Sequence, residues 1–111
     1  MRILILEDEP LIAMDLEDIV TGAGAECVVA STVRGGLARV AEGVDFAMLD
    51  YNLGCPQNNS LPVALDLMAR GIPFCFVSGS LAELPARFDA VPRISKPFRP
   101  REIEAVLPAA A

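Results

Sequence analysis

A repeated alternation between short apolar runs and longer stretches with helical periodicity constrains the fold more than any other feature of this chain. The apolar runs have the length and composition of buried strands, and they occupy residues 2–6, 27–30, 44–49, 73–77 and 91–94. Strands that alternate with helices pair in parallel and are covered by helices on both sides. The sequence therefore predicts an α/β fold, a doubly wound five-stranded parallel sheet with helices on both faces.

Proline and glycine mark the ends of the predicted helices. Pro10 and Pro62 lie where first helical turns are expected, and Gly71 follows a helical stretch as a stop. Helices are expected from residue 10 up to 22, from 33 to about 41, from 61 to 70 and from 100 to 107. Residues 81–89 contain a proline and have a weak helical pattern, so the fourth helix in chain order is expected to be short or irregular. Residues 54–60 are expected to form a loop.

The composition indicates one domain and narrows the classes of partner. With 111 residues, 53% of them hydrophobic, residues 1–111 are expected to form a single domain around one core. Nine Lys and Arg against 15 Asp and Glu give a net charge of -6. This balance excludes a general nucleic-acid or membrane-surface binder, because both need positive charge facing phosphate. No apolar run spans a membrane, and the acidic residues 7–9 come too early for a signal peptide, so a cytoplasmic protein is expected.

The cysteines do not form a recognisable metal or disulfide framework. Cys27, Cys55 and Cys75 are odd in number, lack metal-ligand spacing and have no histidine to assist them. We therefore expect reduced thiols, as in a cytosolic protein, with Cys27 and Cys75 in the core.

One predicted strand ends directly on a carboxylate. The run 44–49 is followed by Asp50, and Asn52 and Gly54 then turn the chain away. An Asp after a strand is most often a turn or cap residue, so Asp50 alone does not establish chemistry. In parallel α/β sheets, however, ligands bind beyond the carboxyl ends of the strands. The polar residues at these ends are Glu7, Asp8, Asp50, Ser78 and Lys96.

Three carboxylates that converge on one pocket repel one another unless some are protonated or a cation neutralises them. Mg²⁺ is the natural cation, because it binds a few carboxylates and a carbonyl and leaves room for waters and substrate oxygens. Ser78 and Lys96 would meet those oxygens from the far side. The set therefore suits a phosphoryl group held on Asp50 as an acyl phosphate, with Asp50 as the nucleophile.

Four motifs in order resemble the receiver domain of two-component response regulators. They are Glu7-Asp8, Leu49-Asp50-Tyr51-Asn52, Phe76-Val77-Ser78-Gly79 and Ile94-Ser95-Lys96-Pro97-Phe98. Each motif is common alone, but the ordered set is specific, and the resemblance covers essentially the whole chain. It implies a flavodoxin-like strand order 2-1-3-4-5 and a stand-alone response regulator, a phosphoprotein of phosphorelay signal transduction.

The resemblance also implies a role for each site residue. Asp50 matches the phosphoacceptor, which takes its phosphoryl group from a histidine kinase, a phosphotransfer protein or a small donor such as acetyl phosphate. Asp8 matches the direct Mg²⁺ ligand and Glu7 its partner acting through water, while the backbone carbonyl of Asn52 completes the metal shell. Ser78 matches the switch hydroxyl, and Lys96 matches the lysine that pairs with the phosphoryl group.

Further positions around the site are implied by the same resemblance. Pro97 matches a proline that often follows a cis bond, and Gly79 leaves space beside the site. Asn52 and Ser80 flank it where the family tunes the phosphate lifetime. No output enzyme is expected, because nothing after the last helix could read DNA or make a second messenger. The chain's own activity is expected to be autophosphatase loss at most.

The sequence departs from the commoner receiver pattern between Ser78 and Lys96. The aromatic switch residue usually lies three residues before the lysine, where this chain has Arg93, and the segment is roughly one helical turn shorter than usual. The readout is expected on the face from Leu81 to Leu107, which is rich in basic residues and suits an acidic downstream protein partner. A solvated helix face is the alternative.

Two other functions are compatible with parts of the same sequence. A phosphohydrolase of the haloacid dehalogenase kind also uses an Asp nucleophile and a metal, but it needs a second Asp two residues later, where this chain has Asn52. It also needs a cap domain, for which no chain remains. A phosphate-independent protein-binding module of the same fold is the stronger rival, although every expected site position is filled.

Overall fold

A parallel sheet forms the centre of the computed structural model, which describes residues 1–55, 58–79 and 81–108. In chain order the strands are β1 (Arg2–Leu6), β2 (Glu26–Ala30), β3 (Phe46–Leu49), β4 (Asn52–Cys55), β5 (Asn58–Asn59), β6 (Phe74–Ser78) and β7 (Arg93–Ser95). The main sheet has five strands in the order β2-β1-β3-β6-β7, and all its pairings are parallel. Since β6 and β7 are its fourth and fifth strands, the predicted flavodoxin-like order is confirmed.

Helices cover both faces of this sheet, as the alternation predicts. They are α1 (Pro10–Gly22), α2 (Val33–Glu42), α3 (Leu61–Arg70) and α4 (Pro100–Val106). Leu16 of α1 and Ile103 of α4 pack in one buried cluster, whereas Val40 of α2 and Leu67 of α3 pack in a second. Alternate residues of the strands point into one cluster or the other, because strand side chains alternate between faces.

The segment expected to hold a short or irregular fourth helix contains two single 3-10 turns, Leu81–Glu83 and Ala86–Phe88. Phe88 anchors this segment to the sheet, since it is fully buried and its ring centroid lies 5.3 Å from that of Phe76. Burying a Phe side chain contributes about 1.5–3 kcal/mol. The guanidinium of Arg93 also donates to the carbonyl oxygen of Phe88, so an edge strand holds the second turn in place.

The expectation of a loop over residues 54–60 is wrong in part. The strands β4 and β5 pair as a small antiparallel ribbon, in which Asn52 lies opposite Asn59. Gly54 has a φ of +92°, and Asn58 Nδ2 donates to the carbonyl oxygen of Leu53 at 2.8 Å. Asparagine side chains stabilise this turn by hydrogen bonds to the backbone. Because the ribbon lacks alternating hydrophobic residues, the sequence shows no strand pattern here. Residues 56–57 lie outside the described ranges, and the other predicted boundaries differ by one or two residues at most.

The two cysteines with described side chains have free thiols. Cys75 is fully buried, as expected, and burial raises its pKa to about 12. Cys27 is only half-buried but packs against the core, and burial, with a contribution from Glu17, raises its pKa to about 11. The thiol of Cys55 lies outside the described residues. Within the described ranges, no helix has the length and apolar character to cross a membrane.

Candidate functional site

The register of the parallel strands brings the predicted site residues to one edge of the sheet. Leu6 of β1 pairs with Leu49 of β3, so Glu7 and Asp50, the next residues, emerge side by side. The backbone N–H of Asp50 extends this ladder to the carbonyl oxygen of Leu6 at 2.9 Å. Two strands further along the same edge, the backbone N–H of Lys96 donates to the carbonyl oxygen of Ser78 at 3.2 Å.

Three carboxylates converge at this edge, as the sequence predicts. One carboxylate oxygen each from Glu7, Asp8 and Asp50 lies within 4.8 Å of the other two. Only 2% of Glu7 and 7% of Asp50 are exposed, whereas Asp8 is half-buried. Gly54 passes close by, because a Cβ at that position would lie 3.6 Å from Asp8 Oδ2.

Lys96 lies between two of these carboxylates. Its Nζ donates to Glu7 Oε1 at 2.5 Å and to Asp50 Oδ2 at 2.8 Å. The sequence predicts an ammonium on the far side of the site, facing substrate oxygens, whereas in the structure the Lys96 ammonium contacts the acids directly. Burial alone would lower the pKa of Lys96, but the bonds to Asp50 and Glu7 outweigh that effect and raise it. The lysine therefore compensates part of the negative charge.

Glu7 is the carboxyl group most affected by this environment. Burial raises its pKa to about 7, and the nearby charge of Asp50 acts in the same direction. The bond from Lys96 opposes the shift, as does the backbone N–H of Glu9, which donates to Glu7 Oε2 at 3.2 Å. The net effect is a raised pKa, with burial as its largest cause.

The remaining predicted residues surround this cluster. Ser78 is fully buried at the end of β6, and next to it Gly79 borders open space, since a Cβ there would meet no atom within 4 Å. The Lys96–Pro97 peptide bond is cis, as the resemblance implies. Ser80 lies outside the described residues. The switching and phosphate-binding roles of these residues stay predictions.

Asn52 has a partner that sequence analysis missed. Its side-chain Nδ2 donates to Glu83 Oε2 at 3.0 Å, which joins the residue two positions after Asp50 to the first 3-10 turn. Glu83 lies in a segment with only a weak helical pattern. No pattern in the sequence therefore predicts where its carboxylate points.

The oxygen donors at this edge fit a small, hard cation. Mg²⁺ prefers a few carboxylate oxygens and keeps several waters, and the cluster offers three carboxylates close together. The candidate ligands are Asp8 and Asp50, with Glu7 acting through water and the backbone carbonyl of Asn52.

Comparison with known proteins gives consistent matches over almost the whole chain. SdrG from Sphingomonas melonis Fr1 is 44% identical, and the match covers 95% of this chain and 91% of that one with a TM-score of 0.83. The BeF3-activated conformation of SdrG from Pseudomonas melonis Fr1 matches with 45% identity, 94% and 90% coverage and a TM-score of 0.78. The phyllosphere-induced regulator PhyR of Methylorubrum extorquens AM1 is 32% identical over 96% of this chain. The response regulator PhyR from Brucella abortus is 30% identical over 94% of it, with a TM-score of 0.80.

The chain belongs to the response regulator receiver family. It matches no protein-family model. The receiver spans only 42% and 44% of the two PhyR relatives, but almost the full length of SdrG.

The raised pKa of Glu7 predicts a pH-dependent loss of stability in the metal-free receiver. Its folded-state pKa, about 7, lies above the ordinary value of 4.5, so the folded protein binds more protons than the unfolded chain between these pH values. The free energy of unfolding should therefore fall as pH rises through this window. We expect urea denaturation in EDTA to show this fall relative to Glu7→Gln, which lacks the ionisable carboxyl.

The exposed carboxylate of Asp18 on α1 supplies the control. An Asp18→Asn variant should keep the wild-type pH profile. A constant difference in stability between wild type and Glu7→Gln across the window would contradict the assignment.

Proposed function

We propose that this receiver accepts a phosphoryl group on Asp50 in a Mg²⁺-dependent reaction, and that the modification switches a protein-interaction surface or is passed on in a relay. The contact of Lys96 Nζ with both Asp50 and Glu7 carries this proposal. It places a cation on the carboxylate that would be modified, at the edge of the sheet where three acids converge.

In the transfer step, a carboxylate oxygen of Asp50 attacks the phosphorus of a phosphohistidine or of acetyl phosphate. An O–P bond forms as the donor's N–P or O–P bond breaks, and the imidazole, which takes up a proton, or acetate leaves. Lys96 is already beside Asp50, so its ammonium can follow the negative charge onto the phosphoryl oxygens. When bound, Mg²⁺ would supply further positive charge beside these oxygens.

The modified state would end by transfer to another protein or by hydrolysis at Asp50. Hydrolysis breaks the acyl phosphate and returns a free carboxylate and inorganic phosphate. We propose no turnover of a separate substrate, so the protein is a phosphoacceptor with autophosphatase activity and not an enzyme in the usual sense. Asn52 and Ser80 are the proposed positions that tune the lifetime.

The proposed donor is a histidine kinase or a phosphotransfer protein. Leu11 and Met14 on α1 are 80% and 58% exposed, and Met14 lines the same depression as Glu7 and Asp8. We propose that the donor docks on these apolar side chains. The free thiols of Cys27 and Cys75 are in keeping with a cytoplasmic location.

The relative SdrG supports the phosphoryl chemistry. Trifluoroberyllate bound to a carboxylate has the tetrahedral shape and oxygen-like periphery of an acyl phosphate, and SdrG has a BeF3-activated conformation. The two chains are 45% identical across most of their length, and we propose the same response for this receiver.

Intact mass spectrometry after incubation with acetyl phosphate and Mg²⁺ tests this function. We expect one added phosphoryl group on wild type and none above background on Asp50→Asn, which lacks the nucleophile. EDTA should also reduce the addition to background, because the acids would then lack the cation that offsets phosphoryl charge.

Circular dichroism of Asp50→Asn controls for folding. An added group that persists on this variant would contradict the assignment of Asp50. No addition to wild type would favour the phosphate-independent binding module.

The proposed output surface is the basic part of the face from Leu81 to Leu107. This face has five basic residues, and two of them are engaged elsewhere, because Lys96 binds the acids and Arg93 binds the carbonyl oxygen of Phe88. Arg87, Arg99 and Arg101 are exposed. They are the residues that we propose contact an acidic partner.

Charge reversal at Arg99 and Arg101 tests this surface. With both changed to Glu, we expect affinity for the downstream partner to fall about tenfold, because like charges would then face each other. The double reversal of Arg34 and Arg39 on α2 changes net charge equally and should leave affinity unchanged. Equal affinity of both double variants for the partner would show that Arg99 and Arg101 do not form the output surface.

A further inference from the structure

The hydrogen bond between Asn52 and Glu83 joins the segments that follow two neighbouring strands of the site. Asn52 lies two residues after Asp50, and Glu83 ends the 3-10 turn that follows Ser78. The distance from Asn52 Nδ2 to Glu83 Oε2 is 3.0 Å. This side-chain bond therefore connects the surroundings of the phosphoacceptor to the segment that the switch hydroxyl would move.

We propose that Glu83 is a positioning residue that acts through Asn52 and holds the receiver in its unphosphorylated arrangement. The inference rests on the proposed function, because it concerns how phosphoryl uptake at Asp50 is opposed. Glu83 does not contact the reacting atoms in this role. It restrains a residue whose backbone carbonyl is a proposed metal ligand.

The contacts of the segment limit where it can move. Its far end is held by the buried ring of Phe88 and by the bond from Arg93 to the Phe88 carbonyl oxygen. Near its start, Gly79 borders open space. The bond to Asn52 is thus a polar side-chain contact that ties the Leu81–Glu83 turn to the site.

Phosphorylation acts against this bond in two ways. A phosphoryl group brings a charge of about -1.5 to -2 at neutral pH, which repels the Glu83 carboxylate. Its oxygens also offer the Asn52 amide an acceptor that competes with Glu83. A contact made in only one of two states favours that state, so loss of the Asn52–Glu83 bond should favour the phosphorylated arrangement.

The affinity for trifluoroberyllate at fixed Mg²⁺, measured by NMR titration, tests the proposal. We expect Glu83→Ala to bind about 3- to 10-fold more tightly than wild type, the range expected for loss of one hydrogen bond. Glu83→Gln keeps an acceptor but loses the charge, so its affinity should lie between the two. In the absence of trifluoroberyllate, the amide signals of Leu81–Glu83 in Glu83→Ala should shift toward their positions in the bound wild type.

Two variants separate this mechanism from a general charge effect. In an Asn52→Ala background, Glu83→Ala should tighten binding less than it does in wild type, because the bond is already absent and only the repulsion by the Glu83 carboxylate is left to remove. Asp89→Ala removes the same charge from the same exposed segment and should keep wild-type affinity.

Wild-type affinity in Glu83→Ala would overturn the inference, as would equal tightening in the Asn52→Ala background or in Asp89→Ala. These outcomes leave the proposed function intact, because wild type still binds trifluoroberyllate. If wild type does not bind it at all, the proposed function and this inference fail together.

Discussion

The contact of one ammonium with two buried carboxylates is the constraint on which the site depends. Glu7 and Asp50 are almost fully buried, and removing one member of such a group leaves an uncompensated charge at a cost of several kcal/mol. Lys96 lies 89 residues from Glu7 in the sequence. The contact forms only because β1, β3 and β7 end together, so the register of the sheet also determines the charge balance of the site.

The positive charge at the site does not fully offset the negative charge, and the proposed function depends on the excess negative charge. One ammonium faces three carboxylates, which is why burial and Asp50 can raise the pKa of Glu7 to about 7. A metal-free site of this kind favours a divalent cation, and an added cation in turn favours an incoming phosphoryl group. The excess negative charge that lowers stability would therefore favour the proposed chemistry.

The sequence predicts the sheet and the convergence of Asp50 with the other acids, because apolar runs reveal parallel strands and parallel strands end at one edge. It does not predict that Lys96 lies on the acids, since the contacts of a long side chain depend on the folded surroundings. Because position 93 is an arginine and not an aromatic residue, the sequence does not show how the phosphorylation site would be coupled to the readout face. In the structure Phe88 supplies a buried ring and Arg93 holds its carbonyl oxygen. Glu83 has no sequence signal, because only the folded chain brings it to Asn52.

Mapping the modified residue tests the central claim most directly. Borohydride reduces an aspartyl phosphate to homoserine, which fragment mass spectrometry locates after proteolysis. For the receiver treated with acetyl phosphate, we predict homoserine at position 50 when Mg²⁺ is present, and an unmodified Asp50 when EDTA replaces it. Reduction at Glu7 or Asp8, or labelling of Asp50 that is independent of Mg²⁺, would contradict it.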